Sequence, residues 1–515
     1  MSMNGAESLV TTLLACGVDT CFANPGTSEM HFVSALDRVA GMRCVLGLFE
    51  GVVTGAADGY ARAAGKPAAT LLHCGPGLAN GLANLHNARR AAVPVVNCVG
   101  DQAITHRPFD APLTADAEGF ARGVSAWVRT ASSAAQVGAD AAAAVQAART
   151  GAGGVATLIL PSDTCWGAGG VPAAPLPVPA RPQASPQAIA EVAELVRRGE
   201  PTLFYIEGDG LREGPLADAA RIGAATGAEM WCPSSFRRLS QGAGRHSIRR
   251  TPYPVDAAVA AFAHIRHVVL VGTARPPVGF FGYPGKPDVM TPAGASVHVL
   301  ARPEQDVAAA LAALAEALGA PAVAPAARVE TAPGRGAVTP EGLGASLAAL
   351  MPEGAFVVDE SVSFARGVVE ACHGALPHEW MTVTGGAIGN GIPLATGAAV
   401  GAPGRRVVNL EADGSAMYTL QGLWTQAREN LDVTTVILAN KRYQILFGEL
   451  VNVGAEAGPA TQELFSLARP ELDFVKLAGG MGVPAARAET MEAFNDLFAA
   501  ANRRRGPFLI ELAVD

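Results

Sequence analysis

Short apolar runs rich in β-branched residues recur along the first third of the chain: RCVLGLF, AATLLH, VPVVNCVG and VATLIL. They are continuous rather than alternating, and Ala-rich stretches of helical period separate them, which predicts strands buried on both faces of a parallel sheet. The middle repeats the pattern with TLFYI, EMWC, HVVLVG and SVHVL, and the last third with AFVVD, RRVVNLEA, VTTVILA and FLIELAV. Two Pro- and Ala-rich stretches, 167–186 and 319–340, have neither period and read as linkers. The pattern therefore predicts an α/β protein of three consecutive parallel-sheet sandwich domains, at 1–170, 185–320 and 337–515. Each segment falls within the common domain size, and no short-period internal repeat is present.

Composition narrows the partners. Half of the 515 residues are hydrophobic and 16% are charged, which excludes a disordered chain and suits an enzyme whose subunits associate. The net charge is -8, and the pairs Arg89-Arg90, Arg237-Arg238, Arg249-Arg250 and Arg405-Arg406 are scattered, so nucleic acid is not an expected partner. The uncharged stretch from Trp380 to Gly404 is broken by Gly, Asn and Pro, so no membrane span is expected. The first residues lack a basic and apolar leader pattern, and a cytoplasmic protein is the expectation. Eight cysteines form no C-x-x-C pair, and His-Glu-x-x-His is absent; buried thiols are expected, without disulfides or zinc.

The chemistry concentrates in EADGSAMYTLQGLWTQARENLDVTTVILANKR. Asp413 falls at the carboxyl end of the strand VVNLEA, where open α/β sheets bind ligands, and Gly414-Ser415 opens a helix. A helix N-terminus attracts phosphate and a carboxylate repels it, so both at one spot make sense with a divalent cation between them. The next strand, VTTVILA, ends at Asn440, whose amide oxygen is a neutral hard ligand, and a backbone carbonyl near Arg442 is a third. The bland alternative is a turn with a helix cap at Asp-Gly-Ser and a second turn at Asn440.

Asp-Gly, then 27 residues to an Asn closing a β run, with the Gly-rich lead-in VTGGAIGNGIPLATGAAVG, resembles the diphosphate-binding motif of thiamine diphosphate (ThDP) enzymes. Ala412 stands where that family usually has Gly. The resemblance continues in the first third. CVLGLFEGVVTGAADGYARAAGKPA (44–68) places Glu50 between a strand and a helix carrying Gly51, Gly55 and Gly59, with FANPGTSEM before it and LLHCGPGLANGLANLHNARRAAVPVVNCVGD after it. The likeness is to 2-oxoacid decarboxylases and carboligases, including benzoylformate decarboxylase and acetolactate synthase large subunits. It covers the first and third segments and is weak in the middle.

What the resemblance implies is specific. The three domains would be pyrimidine-binding, central and diphosphate-binding, and the cofactors ThDP and Mg2+. Asp413, Asn440 and the carbonyl near Arg442 would hold the metal, and Gly414, Ser415 and Ser363 would contact the diphosphate, with Val362 where relatives often carry a hydroxyl. Ile388 would support the bent cofactor, and the Gly386 carbonyl would take its 4'-amine. Glu50 would hydrogen-bond the pyrimidine, and the reaction would be decarboxylation of a 2-oxo acid through an enamine, with carboligation as a further outcome. His73, Thr27 and His246 are candidate proton carriers. The active unit would be at least a homodimer, with a homotetramer expected. Phe49, where many acetolactate synthases have His, and the short middle segment argue against FAD, and the absence of a His-His pair argues against pyruvate-to-acetaldehyde chemistry. Rival readings are a C-C lyase on a 2-hydroxyacyl thioester or diketone, a noncatalytic ThDP-binding paralogue, and a Rossmann oxidoreductase. Neither GPGLANG nor VGTARPPVGFFG satisfies the fingerprint that the last requires.

Overall fold

The computed structural model describes residues 2–514, so residues 1 and 515 of the expected outer domains lie outside it. Three sheets follow one another. The first contains β1 (Thr20–Asn24), β2 (Arg43–Leu46), β3 (Ala68–Leu72), β4 (Val95–Asp101), β5 (Trp127–Thr130) and β6 (Val155–Pro161), all parallel, in the order β2-β1-β3-β4-β6-β5. Strands β3, β4 and β6 are buried at every position, which is why they read as unbroken apolar runs.

The middle sheet holds β7 (Thr202–Ile206) and β8 (Glu229–Cys232). After them β9 (Leu239–Gln241) departs, and β10 (Arg249–Arg250), β11 (His267–Val271) and β12 (Ser296–Ala301) complete the order β10-β8-β7-β11-β12. The third sheet comprises β13 (Phe356–Glu360), β14 (His378–Thr382), β15 (Val407–Ala412), β16 (Val433–Ala439), β17 (Ala485–Ala488) and β18 (Phe508–Ala513). Its order is β17-β18-β16-β15-β13-β14-β9, and β9 is its one antiparallel strand. The expected linkers are real in their centres: residues 171–185 and 320–335 have no regular structure.

β9 lies within the arginine-rich stretch FRRLSQGAGRHSIRR, 236–250. Arg238 and Arg245 pair with buried Glu379 on β14, Arg237 with Asp209, Arg249 with Glu229 and Arg250 with Glu370. Arg238, Arg245 and Arg250 tie the middle segment to the third, whereas Arg237 and Arg249 pair within the middle segment. One apolar cluster accordingly runs from Phe204 and Ile206 through Leu239 to Trp380 and Val436.

The first and third segments meet through a helix pair, Glu50–Ala64 against Gly391–Gly401, sharing a cluster that includes Phe22, Tyr60, Met381 and Leu394. Only glycine lets these helices approach: a Cβ on Gly397 would lie 1.8 Å from the Ala56 carbonyl oxygen, and one on Gly59 would lie 2.0 Å from that of Leu394. Buried Asp58 and Arg62 pair through two hydrogen bonds of 2.7 Å on this face, and Arg62 also donates to the Thr382 carbonyl. All eight cysteines are free and all but Cys44 are buried. Among the described residues, no helix is long and apolar enough to cross a membrane.

Candidate active site

Strand ends gather the predicted residues into two groups. In the third sheet, β15 delivers Asp413 and β16 delivers Asn440 to the same carboxyl edge. Asp413 is 3% exposed; Oδ1 accepts from the Gly414 N–H (2.8 Å) and Oδ2 from the Lys441 N–H (2.6 Å). Burial pushes its carboxyl above the usual range, and those N–H donors oppose the shift. Asn440 Oδ1 accepts from the Arg442 N–H at 3.1 Å, and the turn between them holds Lys441 at φ +58°. A carboxylate, an amide oxygen and the Arg442 carbonyl, which also accepts from the Gln444 N–H at 3.0 Å, are the oxygens that could hold a hard divalent cation such as Mg2+. Ser415 is buried beside Asp413, and a Cβ on Gly414 would strike the Tyr443 ring at 2.4 Å.

The glycine-rich stretch between β14 and the Gly391–Gly401 helix reaches the same edge. Gly386 and Gly389 have φ of +78° and +86°, which side chains with a Cβ resist. The helix Cys74–Arg90 of the first segment clamps this stretch. Asn87 donates to the Ala387 carbonyl (2.8 Å), Asn84 to that of Gly389 (3.2 Å), and His86 Nε2 meets the Gly385 carbonyl at 3.1 Å. From below, buried Glu360 accepts from the N–H groups of Gly389 and Gly391. Ile388 is thereby presented to a cavity of about 740 Å³, which Ser361, Val362, Gly386 and Tyr443 also line. Val362 holds φ +57°, a strained conformation for a β-branched residue, and beside it the Ser363 N–H donates to the Ser361 carbonyl.

The second group lies at the carboxyl edge of the first sheet. Glu50 follows β2, opens the helix Glu50–Ala64 and is 8% exposed. Its Oε2 accepts from Asn80 Nδ2 at 3.0 Å, and Oε1 faces Gly77 with no hydrogen bond among the described residues. His73 follows β3, and its ring fills the space left by the missing side chain of Gly26. Its Nδ1 lies 2.9 Å from Glu29 Oε2 and 3.1 Å from Ser28 Oγ, and Ser28 Oγ also lies 3.0 Å from Cys74 Sγ. Burial pushes the Cys74 thiol up to about 11, which keeps it protonated.

Thr27 is exposed, so Ser28 is the hydroxyl that reaches His73. His246 sits partly exposed in the loop between β9 and β10 and does not line the Ile388 cavity. The middle segment sends Tyr253, Phe280 and Phe281 there instead. Glu50 and His73 also stand outside that cavity.

Two descriptions of known families match the chain. "Thiamine pyrophosphate enzyme, N-terminal TPP binding domain" covers residues 3–121, and the corresponding C-terminal TPP binding domain covers residues 367–512. IlvX of Mycobacterium tuberculosis, provisionally named an acetolactate synthase large subunit, is 53% identical over 515 residues, 99% of each chain. The chain belongs to the thiamine pyrophosphate enzymes.

Within that family it is also similar to benzoylformate decarboxylase of Pseudomonas aeruginosa, 29% identical across 96% of both chains. The solved ThDP-dependent 4-hydroxybenzoylformate decarboxylase of Rhodococcus jostii RHA1 superposes with a TM-score of 0.85 at 25% identity, over 100% of this chain and 99% of that one. The three-sheet architecture is thus that of ThDP enzymes. Sequence reading passed over Ser28, Glu29, Asn80 and the Asn84-His86-Asn87 clamp. The polar face of LANLHNARR was the available signal for the clamp, and Glu three residues after Gly26 was the signal for Glu29.

Proposed function

We propose that this chain is a ThDP- and Mg2+-dependent enzyme that decarboxylates a 2-oxo acid, with ligation of the product to a second carbonyl as a further outcome. The observation that carries the reading is Glu50, buried at a helix start with one carboxylate oxygen unengaged, in a chain that also keeps a buried carboxylate at the end of β15. A scaffold that merely held diphosphate would need Asp413 and no such acid.

ThDP, when bound, supplies the nucleophilic carbon for the 2-oxo group and the electron sink that lets carbon dioxide leave. Asp413, Asn440 and the Arg442 carbonyl would hold Mg2+, with Gly414, Ser415 and Ser363 toward the diphosphate. Gly386 offers a carbonyl and Ile388 an apolar support. Glu50 would accept a hydrogen bond from the pyrimidine and hold its proton there. Glu29, by engaging His73 Nδ1, would fix the ring and leave Nε2 to exchange a proton with the substrate.

By the family likeness the active unit would be at least two chains, each giving one edge to a shared site. The test is carbon dioxide release from aliphatic and aromatic 2-oxo acids with ThDP and Mg2+, for wild type and Glu50→Gln. Cofactor-dependent release that drops at least about 100-fold in the variant is expected, the range of a lost general acid-base group. Tight ThDP binding without release from any acid would refute the reading.

A further inference from the structure

The Ile388 cavity contains one cation that no acid among the described residues meets in a direct pair. Four acids and two arginines stand around its wall, and all but one have partners; Glu360 accepts from the N–H groups of Gly389 and Gly391. Asp359 accepts from Ser361 and Trp380, and Glu370 lies 3.6 Å from Arg250. Glu449, on the helix Gln444–Asn452, accepts from the hydroxyls of Tyr253 and Tyr283. Arg366 has neither an ion pair nor a hydrogen bond among the described residues. Its guanidinium lies 4.8 Å from the Tyr253 ring centroid, stacked on a ring that Glu449 holds in place. Burial works against its charge. Glu449 and Tyr253 favour that charge from a distance but leave its N–H groups unengaged, and such a fixed guanidinium offers forked donors that match a carboxylate in two parallel hydrogen bonds.

Ile388, Ile445, Leu446, Phe280 and Phe281 give the wall an apolar part beside polar serine and threonine side chains, and about 740 Å³ exceeds what a short 2-oxo acid fills. The anion that Arg366 meets is not the departing carboxylate. A cation there would stabilise a charge that disappears as carbon dioxide leaves, binding the ground state better than the transition state. Resting on the decarboxylase reading above, we infer that Arg366 is a specificity-determining residue that binds a second carboxylate at the far end of the acyl chain. The substrate class is accordingly 2-oxo dicarboxylic acids.

The experiment compares isosteric pairs on the ThDP- and Mg2+-loaded enzyme: 2-oxoglutarate against 2-oxopentanoate, and 2-oxoadipate against 2-oxohexanoate. A charge-assisted hydrogen-bond pair corresponds to a kcat/KM preference of about tenfold or more for the dicarboxylate, expressed mainly in KM. Arg366→Met should bring that ratio to one or below, and Arg366→Lys should keep part of it. Because the readout is a ratio within one preparation, a partly folded variant does not mimic the effect. A wild-type ratio at or below one, or a ratio that Arg366→Met leaves intact, overturns the inference. If wild type turns over no 2-oxo acid, the decarboxylase reading fails. Calorimetric binding of glutarate against pentanoate then decides the subsite: tighter glutarate that depends on Arg366 supports it, and equal binding overturns it.

Discussion

Glu360 and Glu411 stand directly opposite each other on β13 and β15, 2% and 0% exposed, behind the loop that carries Ile388. Burial pushes Glu360 up to about 7, although the N–H groups of Gly389 and Gly391 oppose the shift. Burial first and then Glu360 push Glu411 well above the usual range. Glu411 therefore stays protonated at neutral pH, and Glu360 is the member that ionises. In the unfolded chain Glu360 ionises near 4.5, so between about 4.5 and 7 the native state holds a proton that the unfolded state has released. Stability from this group is complete below 4.5 and is lost as the pH rises through 7. The full window corresponds to about 3 kcal/mol, most of which lies between pH 5 and pH 8. Glu360→Gln removes the titrating carboxyl. Urea unfolding of wild type and variant, followed by tryptophan fluorescence, gives a difference that cancels the ionisations not coupled to Glu360, and burial alone keeps Glu411 raised in the variant. The advantage of wild type over Glu360→Gln should shrink by about 2–3 kcal/mol from pH 5 to pH 8. A difference that stays constant or grows with pH would show that Glu360 is ionised throughout and refute the reasoning.

Further perturbations test the contacts that position the site. Gly397→Ala sets a helix-propensity gain of about 1 kcal/mol against a backbone clash. At 1.8 Å from a carbonyl oxygen the clash wins, so a net loss of about 1–3 kcal/mol and weaker ThDP binding are expected by thermal melts and fluorescence titration. Gly479→Ala, in the helix Phe474–Gly480 with open space at its Cβ, is the control and should stabilise slightly; equal effects would remove the helix contact from the argument. Asp413→Asn, or chelation of divalent metal from wild type, should weaken ThDP binding by about tenfold or more, the loss expected of one charged ligand interaction. Asp413→Asn binding that keeps wild-type strength and metal dependence would take Asp413 out of the metal site.

The features legible in the sequence are those that one chain segment carries alone. Apolar runs such as VTTVILA predict buried strands because burial on both faces removes the need for polar residues, and Asp413 and Asn440 were found by their place at the ends of such runs. Features made by register between segments left no such trace. Three residues, Leu239–Gln241, are too short to show a period, yet they carry the middle segment into the third sheet. Glu360 and Glu411 look like ordinary strand-end acids until pairing sets them side by side. Thr27 and Ser28 are equally plausible hydroxyls in NPGTSE, and only the turn geometry selects Ser28.

The same distinction separates catalysis from specificity. Residues that would hold and activate ThDP sit at strand ends, where the main chain of a rigid sheet aims them, and their spacing follows the sheet. Tyr253, Phe280, Phe281, Arg366 and Glu449 come from loops and short helices of two different segments, and only packing brings them to one cavity. Their choice is free of the constraint that fixes Asp413, so a chain can keep the cofactor chemistry while its substrate changes. This makes Arg366, rather than Glu50 or Asp413, the residue whose replacement should redirect the enzyme between substrates. The others should only slow it.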